Sequence, residues 1–229
     1  MSTSDNAGAQ SKIVVHHLEN SRSTRILWLL EELRVPYELK FYKRTSENLA
    51  PTELKAIHPL GLSPIITDDD VVIAESAVIV EYLINKFGSE ENKPSPAGWL
   101  DNSYFTHYCE GSFMPLLVNK LIFTLVPKRT PFLLRPLANI LFGALLSNMV
   151  EPRIKTHLDF IEAHLTKSQS GWFANGPNPT SADYMMSFAL EPLESKSGSK
   201  IDEYKKRVHA RPAYQRALEK GGKIQLNFA

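Results

Sequence analysis

The spacing of apolar and polar residues along the sequence changes several times in the first part of the chain. Residues 13–17 form a short apolar run, as expected for a buried strand, and residues 22–33 carry apolar side chains at helical spacing. Residues 37–42 alternate between polar and apolar side chains, which indicates a second strand. A strand, a helix and a strand in this order favour a parallel pair joined by a right-handed crossover.

Shorter elements continue this pattern. The sequence predicts a helical piece over 51–57, strands over 63–67 and 71–74, and a helix over 77–87. Together these elements predict a small α/β domain over residues 12–88. The polar residues 1–11 that precede it are expected to form a disordered tail.

A polar, proline-bearing segment at residues 89–98 is the best candidate for a linker. No convincing alternating strand follows it. The remaining apolar periodicity predicts helices over 99–117, 138–150, 153–165, 180–190, 201–210 and 213–220. We therefore expect an all-helical domain over residues 99–229.

The composition, with 43% hydrophobic and 22% charged residues, is that of an ordinary globular protein. The formal net charge of +1 gives no reason to expect a nucleic acid as partner. Cys109 is the only cysteine, which excludes an intrachain disulfide framework and a CxxC redox pair and favours a reducing compartment. Because the N-terminal residues do not resemble a signal peptide, we expect cytoplasmic localisation.

The chain is most apolar over residues 116–150. Basic residues interrupt this segment, and its longest uncharged run, 136–150, is shorter than the roughly 20 residues of a membrane-spanning helix. We therefore expect a buried helix, or a helix that lines an apolar pocket, and no stable membrane insertion. Peripheral contact with a membrane stays open as a minor alternative.

Polar residues cluster where the first strand passes into the first helix, at Asn20, Ser21, Arg22 and Ser23. The simple structural interpretation is that Ser21 or Ser23 caps the helix. Alternatively, one serine hydroxyl donates a hydrogen bond to the anion of a ligand, with help from the positive end of the helix dipole. A thiolate is one such anion, because these features lower the pKa of a thiol.

Two further junctions allow the same choice between structure and binding. Pro64 is compatible with an edge strand that follows a turn. Alternatively, a cis bond between Ser63 and Pro64 would turn the backbone of Ser63 toward a peptide-like ligand. Glu75 and Ser76 are typical of the start of a helix. Alternatively, they bind an amino-acid head group, with Glu75 at the ammonium and the hydroxyl and N–H groups at the carboxylate.

Other polar residues are interpreted as structural. His16 and His17 have no cysteine or carboxylate at metal-ligand spacing nearby, so we expect a structural or solvent-facing position and no metal site. Cys109 is interpreted as a small buried side chain. Thr180 and Asp183 have the spacing of a helix capping box.

The order of these motifs along the chain resembles that of a known family. The motifs are Asn20-Ser21-Arg22-Ser23 with Glu31-Glu32-Leu33, the stretch 54–64, Ala74-Glu75-Ser76, and Gly171-Trp172-Phe173-Ala174 followed by Thr180-Ser181-Ala182-Asp183. From about residue 12 to the C-terminus, the chain is similar to the cytosolic glutathione transferases. Within them, it resembles the serine-type fungal and bacterial group that includes yeast-like enzymes.

The resemblance implies a thioredoxin-like N-terminal domain that binds glutathione and an all-α C-terminal domain that holds an apolar electrophile. It implies a cis bond before Pro64, contact between Ser63 and the cysteine backbone of glutathione, and binding of the γ-glutamyl group by Glu75 and Ser76. The candidates for binding the glycyl carboxylate are Lys43, Arg44 and Asn48.

The resemblance also points to the residues that activate the thiol and hold the electrophile. Ser21 is the first candidate for activation, followed by Asn20 and then Ser23. The lack of a tyrosine or cysteine there argues against the tyrosine-type and cysteine-type classes. The electrophile pocket is expected to involve residues early in the second domain, namely Tyr104, Tyr108, Phe113 and Met114.

The function implied is conjugation of glutathione to apolar electrophiles in detoxification, with peroxide reduction as a side activity. A homodimer is expected, with glutathione as co-substrate and no further cofactor. Two alternatives stay open. One is a transferase dedicated to a single pathway, such as fungal secondary metabolism, and the other is a non-catalytic glutathione-binding or regulatory protein on the same fold.

Overall fold

The computed structural model of the protein describes residues 12–225. The predicted tail at 1–11 and the last residues of the predicted second domain lie outside the described residues. Strands and helices alternate in the N-terminal part, with bounds β1 (Ile13–Leu18), α1 (Thr24–Leu33), β2 (Tyr37–Tyr42), β3 (Ile65–Asp68), β4 (Val71–Ala74) and α2 (Ser76–Phe87). The helical piece predicted over 51–57 is a short 3-10 helix, Thr52–Ala56.

These strands form one sheet in the order β2-β1-β3-β4. Strands β1 and β2 run parallel, with Val15 opposite Leu39, which confirms the predicted crossover through α1. Strand β3 runs antiparallel to both β1 and β4. The arrangement is the thioredoxin-like sheet that the sequence predicts.

The C-terminal part of the described chain is helical. Its helices are α3 (Trp99–Tyr108), α4 (Met114–Arg129), α5 (Arg135–Leu145), α6 (Glu151–Lys167), α7 (Ser181–Leu190), α8 (Lys200–His209) and α9 (Pro212–Gly221). Two π-helical turns, Cys109–Phe113 and Leu146–Val150, join α3 to α4 and α5 to α6. The helix predicted over 99–117 therefore continues to Arg129, and the one predicted over 138–150 runs on into α6.

Helix α1 is buried on both of its sides, which explains the unbroken apolar run over residues 26–30. It packs on the sheet and also contacts α7 and α9 of the helical part. The Trp28 ring is fully buried, and it meets the rings of Tyr184 and Tyr214 edge-on at centroid distances of 4.7 and 5.4 Å. Burial of this one helix thus holds the two parts of the protein together.

Helix α7 lies at the centre of the helical part, and all of its residues are buried. It begins at the capping box predicted for Thr180 and Asp183, which the structure confirms. The Asp183 carboxylate accepts backbone N–H groups from Thr180 at 2.9 Å and from Phe173 at 3.0 Å. Burial raises the pKa of Asp183 to about 7, although these donors act in the opposite direction.

Helix α5 contradicts the expectation of a buried helix within residues 116–150. None of its residues is buried, and Leu137 and Ile140 are 67% and 73% exposed. Apolar periodicity shows that a helix face is apolar, but it does not show that another element covers that face. Helix α4 agrees with the expectation better, because Met114 and Leu117 are buried in the core.

The continuous helical stretch Trp99–Arg129 is long and apolar enough, by length and composition, to cross a membrane. Core helices of globular proteins pass the same test. Phe105, Phe113 and Leu117 of this stretch belong to the protein core and are at most 1% exposed. These three residues anchor the stretch in the folded domain, while 22% of its most apolar window is buried.

Candidate active site

The end of β1 and the start of β3 lie side by side, because these two strands run antiparallel. This places Ser63, just before β3, beside the residues that follow β1. The Ser63 hydroxyl donates to the His16 carbonyl at 3.1 Å and accepts the Leu18 N–H at 3.3 Å. The peptide bond between Ser63 and Pro64 is cis, as the family resemblance implies.

The Ser21 hydroxyl lies at the junction of β1 and α1, near the positive end of the helix dipole. Its oxygen is 3.4 Å from the Ser63 oxygen and 2.7 Å from the Ser23 oxygen. Ser23 occupies the N-cap position of α1, yet its side chain makes no capping hydrogen bond. The simple capping interpretation of Ser23 therefore does not hold.

The Ser23 side chain instead contacts a histidine. Its oxygen lies 2.7 Å from Nδ1 of His17, whose Nε2 lies 2.8 Å from the Gly221 carbonyl oxygen at the end of α9. His17 and Ser23 are both fully buried. Burial lowers the pKa of His17, and the Gly221 carbonyl opposes this effect only in part. His17 is therefore a neutral, structural residue in the resting protein.

Asn20 and Ser21 both line a cleft of about 340 Å³ between the sheet and the helical part, whereas Ser23 lies behind them. Asn20 has a positive φ of 49°, and its side-chain oxygen accepts the backbone N–H of Gln225 at 2.7 Å. Its carbonyl accepts Nη2 of Arg44 at 3.1 Å. Of the three candidates for thiol activation, Asn20 and Ser21 thus both line the cleft, and the contact with Gln225 uses the side-chain oxygen of Asn20 and not its Nδ2 donor.

Arg44 and Asn48 line the same cleft, and the exposed side chain of Lys43 does not. The Arg44 guanidinium is fixed by backbone oxygens, since Nε donates to Glu19 at 3.2 Å and Nη1 to Asn48 at 3.0 Å. Burial lowers the pKa of Arg44, and the nearby Glu19 carboxylate raises it. Arg44 therefore provides a fixed positive charge at this end of the cleft.

A small cavity of about 60 Å³ opens next to the cleft and shares Arg22, Leu62 and Ser63 with it. Glu75 and Ser76 lie in its wall, at the start of α2. Glu75 has a φ of 71°, a strained conformation for a residue other than glycine, and strain of this kind is concentrated at functional sites. No side-chain cap is formed at this helix start.

Glu110 faces the same cavity from the π-helical turn after α3. Its carboxylate pairs with Arg22, at 3.4 Å from Nε, and with the buried Arg25. Arg22 is therefore part of an ion pair at the edge of the site. Cys109, beside it, is fully buried, and burial raises the pKa of its thiol to about 11.

The rest of the cleft is apolar. Its apolar side chains come from both parts of the protein and are Leu18, Leu49, Ala50, Leu62, Met114, Val118, Leu121 and Phe188. Among the four residues expected for the electrophile pocket, Met114 lies in this wall. Phe113 is fully buried, and Tyr108 packs between Phe113 and His157 in the core.

Tyr104 lies one helical turn before Tyr108 and stacks on its ring at 5.7 Å. It is 49% exposed and also meets Phe160 of α6. Neither Tyr104 nor Tyr108 lines the cleft. The three aromatic residues Tyr104, Tyr108 and Phe113 therefore pack toward α6, and the apolar wall is completed by residues further along α4 and by Phe188 of α7.

The glutathione S-transferase N-terminal domain family matches residues 11–85 of this chain. Over nearly its whole length, the chain is similar to Glutathione S-transferase 3 of Schizosaccharomyces pombe. The two are 37% identical over 216 residues, which cover 91% of this chain and 87% of the relative. The chain belongs to the glutathione S-transferase family.

A second relative and a solved structure agree with this family assignment. Glutathione S-transferase 1 of Saccharomyces cerevisiae is 31% identical, with 94% of this chain and 98% of the relative covered. The crystal structure of a glutathione S-transferase from Actinobacillus pleuropneumoniae has a TM-score of 0.72 and 28% identity, with 93% of this chain and 94% of that chain covered. This protein is thus a glutathione transferase with the family's two-part fold, related to these yeast enzymes.

Some residues at the site of this glutathione transferase were not found by sequence reasoning. Val118, Leu121, Phe188 and Glu110 come from the helical part, where apolar periodicity does not distinguish a cleft wall from the core. Among the described residues, no group of His, Cys, Asp and Glu side chains is arranged to hold a metal ion.

Proposed function

We propose that this glutathione transferase ionises the thiol of bound glutathione and transfers the resulting thiolate to apolar electrophiles. One observation carries the proposal. The Ser21 hydroxyl reaches the same cleft as the apolar side chains of Met114, Val118 and Phe188. A hydrogen-bond donor at a helix N-terminus thus lies beside a surface that favours an apolar co-substrate.

The arrangement of polar groups supports one orientation of glutathione. The γ-glutamyl ammonium and carboxylate fit the cavity of Glu75 and Ser76, and the cysteine backbone lies at Ser63. The glycyl carboxylate then lies at Arg44, which lines the cleft and whose positive charge complements it. Arg44 and Asn48 are preferred to Lys43 for this contact, because only these two line the cleft.

Charge stabilisation of the thiolate is the chemical step that the site promotes. The thiol of glutathione loses its proton, Ser21 donates a hydrogen bond to the thiolate, and the helix dipole adds to this effect. Each unit by which the thiol pKa falls corresponds to about 1.4 kcal/mol of thiolate stabilisation. The thiolate then attacks the electrophilic carbon, and a new C–S bond replaces the bond to the leaving group. In the side activity that we also propose, the thiolate attacks an oxygen of an organic hydroperoxide, and the O–O bond breaks to release an alcohol. A second glutathione then reduces the resulting sulfenic acid, which gives glutathione disulfide and water.

Retention and turnover test this proposal together. The wild-type protein is expected to bind immobilised glutathione, to elute with free glutathione, and to conjugate a generic aromatic halide. Retention without turnover of any electrophile would favour the non-catalytic binding protein. Turnover of one biosynthetic intermediate but of no generic halide would favour a transferase dedicated to that pathway.

We also propose a cytoplasmic homodimer. The family resemblance suggests the dimer, and exposed apolar side chains on α3 and α6 support it, since Tyr104 and Phe160 lie 5.9 Å apart at 49% and 42% exposure. A monomeric mass in solution would contradict it. The free and buried Cys109 is consistent with a reducing compartment, which fractionation of cells that express the tagged protein would test.

A further inference from the structure

The turn between α4 and α5 presents the largest group of exposed apolar side chains on the described surface. Phe132, Leu133 and Ile140 are 76%, 79% and 73% exposed. Leu134, Leu137 and Leu141 of the same region are each more than half exposed. Contiguous apolar surface of this kind marks a site of interaction with a protein or a membrane. We call residues 128–141 the α4–α5 tip.

The charged residues within the helical segment that carries the tip have one sign. Between Glu110 and Glu151 the sequence contains no acidic residue, but it contains Lys120, Lys128, Arg129 and Arg135. This segment therefore has a net charge of +4, whereas the whole chain has +1. Lys128, Arg129 and Arg135 lie within the tip and are exposed.

We propose that the α4–α5 tip docks on the surface of an anionic lipid bilayer. The apolar side chains enter the boundary between headgroups and acyl chains, while the basic side chains lie at the level of the lipid phosphates. This is peripheral binding, since the core residues of α4 stay in the folded protein. A second copy of the chain fits the tip less well, because a symmetric contact places like charges against each other.

The tip also lies close to the cleft. Nη2 of Arg129 donates to the carbonyl of Glu47 at 3.3 Å, in the loop that continues to Asn48 and Leu49 of the cleft wall. Docking of the tip therefore brings the mouth of the cleft near the lipid surface. Apolar electrophiles that partition into the bilayer would then be concentrated beside the thiolate.

Vesicle binding by the full chain tests this inference. The protein is expected to float with vesicles of phosphatidylcholine and phosphatidylserine, more weakly with phosphatidylcholine alone, and less at high salt. Replacing both Phe132 and Leu133 with Ser is expected to weaken binding at least about tenfold. Replacing both Lys128 and Arg135 with Gln is also expected to weaken vesicle binding, by about fivefold for each charge removed. The matched control is Val71→Ser with Val72→Ser, which removes exposed apolar side chains from β4.

Several results would overturn the inference. One is a wild-type protein that binds neither kind of vesicle, and another is binding that the tip variants leave unchanged. Loss of an oligomer in the Phe132 and Leu133 variant, seen in its mass in solution, would assign the tip to a second copy instead. Turnover of a water-soluble halide is expected to stay at the wild-type level in all of these variants, so the test is separate from that of the proposed function.

A different observation supports a second inference, which rests on the proposed function. The Gly221 carbonyl can only accept, so Nε2 of His17 carries the proton and Nδ1 accepts from the Ser23 hydroxyl. The hydroxyl hydrogen of Ser23 is then donated to His17, and the Ser23 oxygen accepts the hydrogen of Ser21 across 2.7 Å. The Ser21 oxygen also accepts the backbone N–H of Ser23 at 3.3 Å, which leaves it one lone pair for a ligand in the cleft.

We infer that Ser21, Ser23 and His17 form a path that takes the proton from the glutathione thiol. The thiol proton passes to the Ser21 oxygen, the Ser21 proton to Ser23, and the Ser23 proton to Nδ1 of His17. The products are a thiolate and an imidazolium, so charge and protons balance. After the transfer, Ser21 donates to the thiolate and Ser23 donates to Ser21.

His17 does not line the cleft, so it takes up the thiol proton only through Ser23 and Ser21. Among the described residues, the imidazole meets the Ser23 hydroxyl from α1, the Gly221 carbonyl from α9 and the Phe41 ring from β2, at a centroid distance of 5.3 Å. None of these groups carries a negative charge, so an imidazolium at His17 is stabilised only by hydrogen bonds, and burial lowers the pKa of His17. A Cβ at residue 221 would lie 2.4 Å from Cδ1 of Leu27 and 3.1 Å from Cε1 of His17, so a glycine there keeps the carbonyl close.

The pH dependence of thiol ionisation tests the role of His17 as a positioning residue. The thiolate absorbance of bound glutathione and the pH profile of kcat/KM are compared for the wild type, His17→Gln and Ser23→Ala. In both variants, the midpoint of thiol ionisation is expected to rise by about one pH unit. The value of kcat/KM should then be about tenfold below that of the wild type at low pH and equal to it at high pH. Ser23→Ala interrupts the path while leaving the contact between His17 and Gly221 in place.

His164→Gln is the matched control, because Nε2 of His164 lies 2.8 Å from the carbonyl oxygen of Phe173, away from the cleft. It is expected to keep the wild-type midpoint. The proton path would be overturned if folded His17→Gln or Ser23→Ala keeps the wild-type midpoint of thiol ionisation, whatever its rate. A wild-type protein that shows no thiolate absorbance would overturn the proposed function, and the path with it.

Discussion

The side-chain oxygens of Ser21 and Ser23 lie 2.7 Å apart, but only Ser21 reaches the cleft. Ser23 is fully buried and contacts His17 on its other side. The two serines, which the sequence presents as near equivalents, therefore have different environments. This difference is the basis of the first prediction.

Ser21→Ala is expected to lower kcat/KM for conjugation by about 10- to 100-fold at neutral pH, because a hydrogen bond to a charged group contributes about 1.5–3 kcal/mol. The midpoint of the pH profile should move upward, while KM for glutathione stays close to the wild-type value. Steady-state kinetics over a range of pH measure both effects. Ser46→Ala, at an exposed position, is the control. Unchanged kinetics in Ser21→Ala would transfer the role to Asn20.

Arg44→Gln is expected to raise KM for glutathione about tenfold or more, because it removes the positive charge proposed to bind the glycyl carboxylate. Lys43→Gln is the matched control, since Lys43 is adjacent in sequence but does not line the cleft. It should change KM less than about twofold, as expected for an exposed charge. The reverse result, with the larger effect at Lys43, would show that the contact is assigned to the wrong residue.

Val118→Phe is expected to fill part of the apolar cleft. KM for a bulky aromatic electrophile should rise severalfold, with little change in KM for glutathione, because Val118 lies in the wall contributed by α4. Asn119→Phe places the same side chain at an exposed position on the same helix and serves as the control. Equal effects of the two substitutions would indicate that the electrophile binds elsewhere.

Asp183→Ala is expected to lower the free energy of unfolding by about 2–5 kcal/mol. It removes the helix cap and leaves the buried N–H groups of Thr180 and Phe173 without their acceptor. Urea unfolding followed by circular dichroism measures this loss. Asp159→Ala, at a 65% exposed carboxylate of α6, should change stability by less than about 0.5 kcal/mol. A loss of similar size in both variants would contradict the role given to the cap.

Glu31 connects α1 to α9, and its environment makes a pH-dependent prediction. Burial raises the pKa of Glu31, but hydrogen bonds from Lys220, Arg216 and Tyr37 outweigh burial and hold the pKa below its ordinary value of 4.5. A lowered pKa in the folded state means that the ionised carboxylate stabilises the protein above this pH. That stabilisation is lost as pH falls below about 4.5.

The unfolding free energy of Glu31→Gln is therefore expected to be about 1–3 kcal/mol below that of the wild type at neutral pH. The difference should shrink as the pH is lowered through the acidic range, in a series of urea unfolding curves. Glu203→Gln, in an exposed pair with Lys200, is the control and should show a small difference at every pH. The prediction would be contradicted if the difference in unfolding free energy between the wild type and Glu31→Gln stays constant down to acidic pH.

The elements that the sequence predicts correctly are those with strong local signals. The strand, helix and strand at the N-terminus follow from a change of apolar period over a few residues, and the Thr180–Asp183 box follows from capping chemistry within one helical turn. The bounds of α4 were missed, because a π-helical turn joins it to α3 without a break in the sequence pattern. Helix α6 lies within two residues of the helix predicted over 153–165.

The sequence by itself determined the two-part fold and the three junctions that form the site, because strand and helix periods, turns and caps are properties of neighbouring residues. Only the tertiary structure decided which serine reaches the cleft, which basic residue lines it, and which apolar side chains of α4 and α7 face it. It also revealed that α5 is exposed. These features depend on contacts between distant segments, such as that of His17 with Gly221 across 204 positions. Local periodicity shows that a face is apolar or polar, but the packing of the whole chain decides what that face meets.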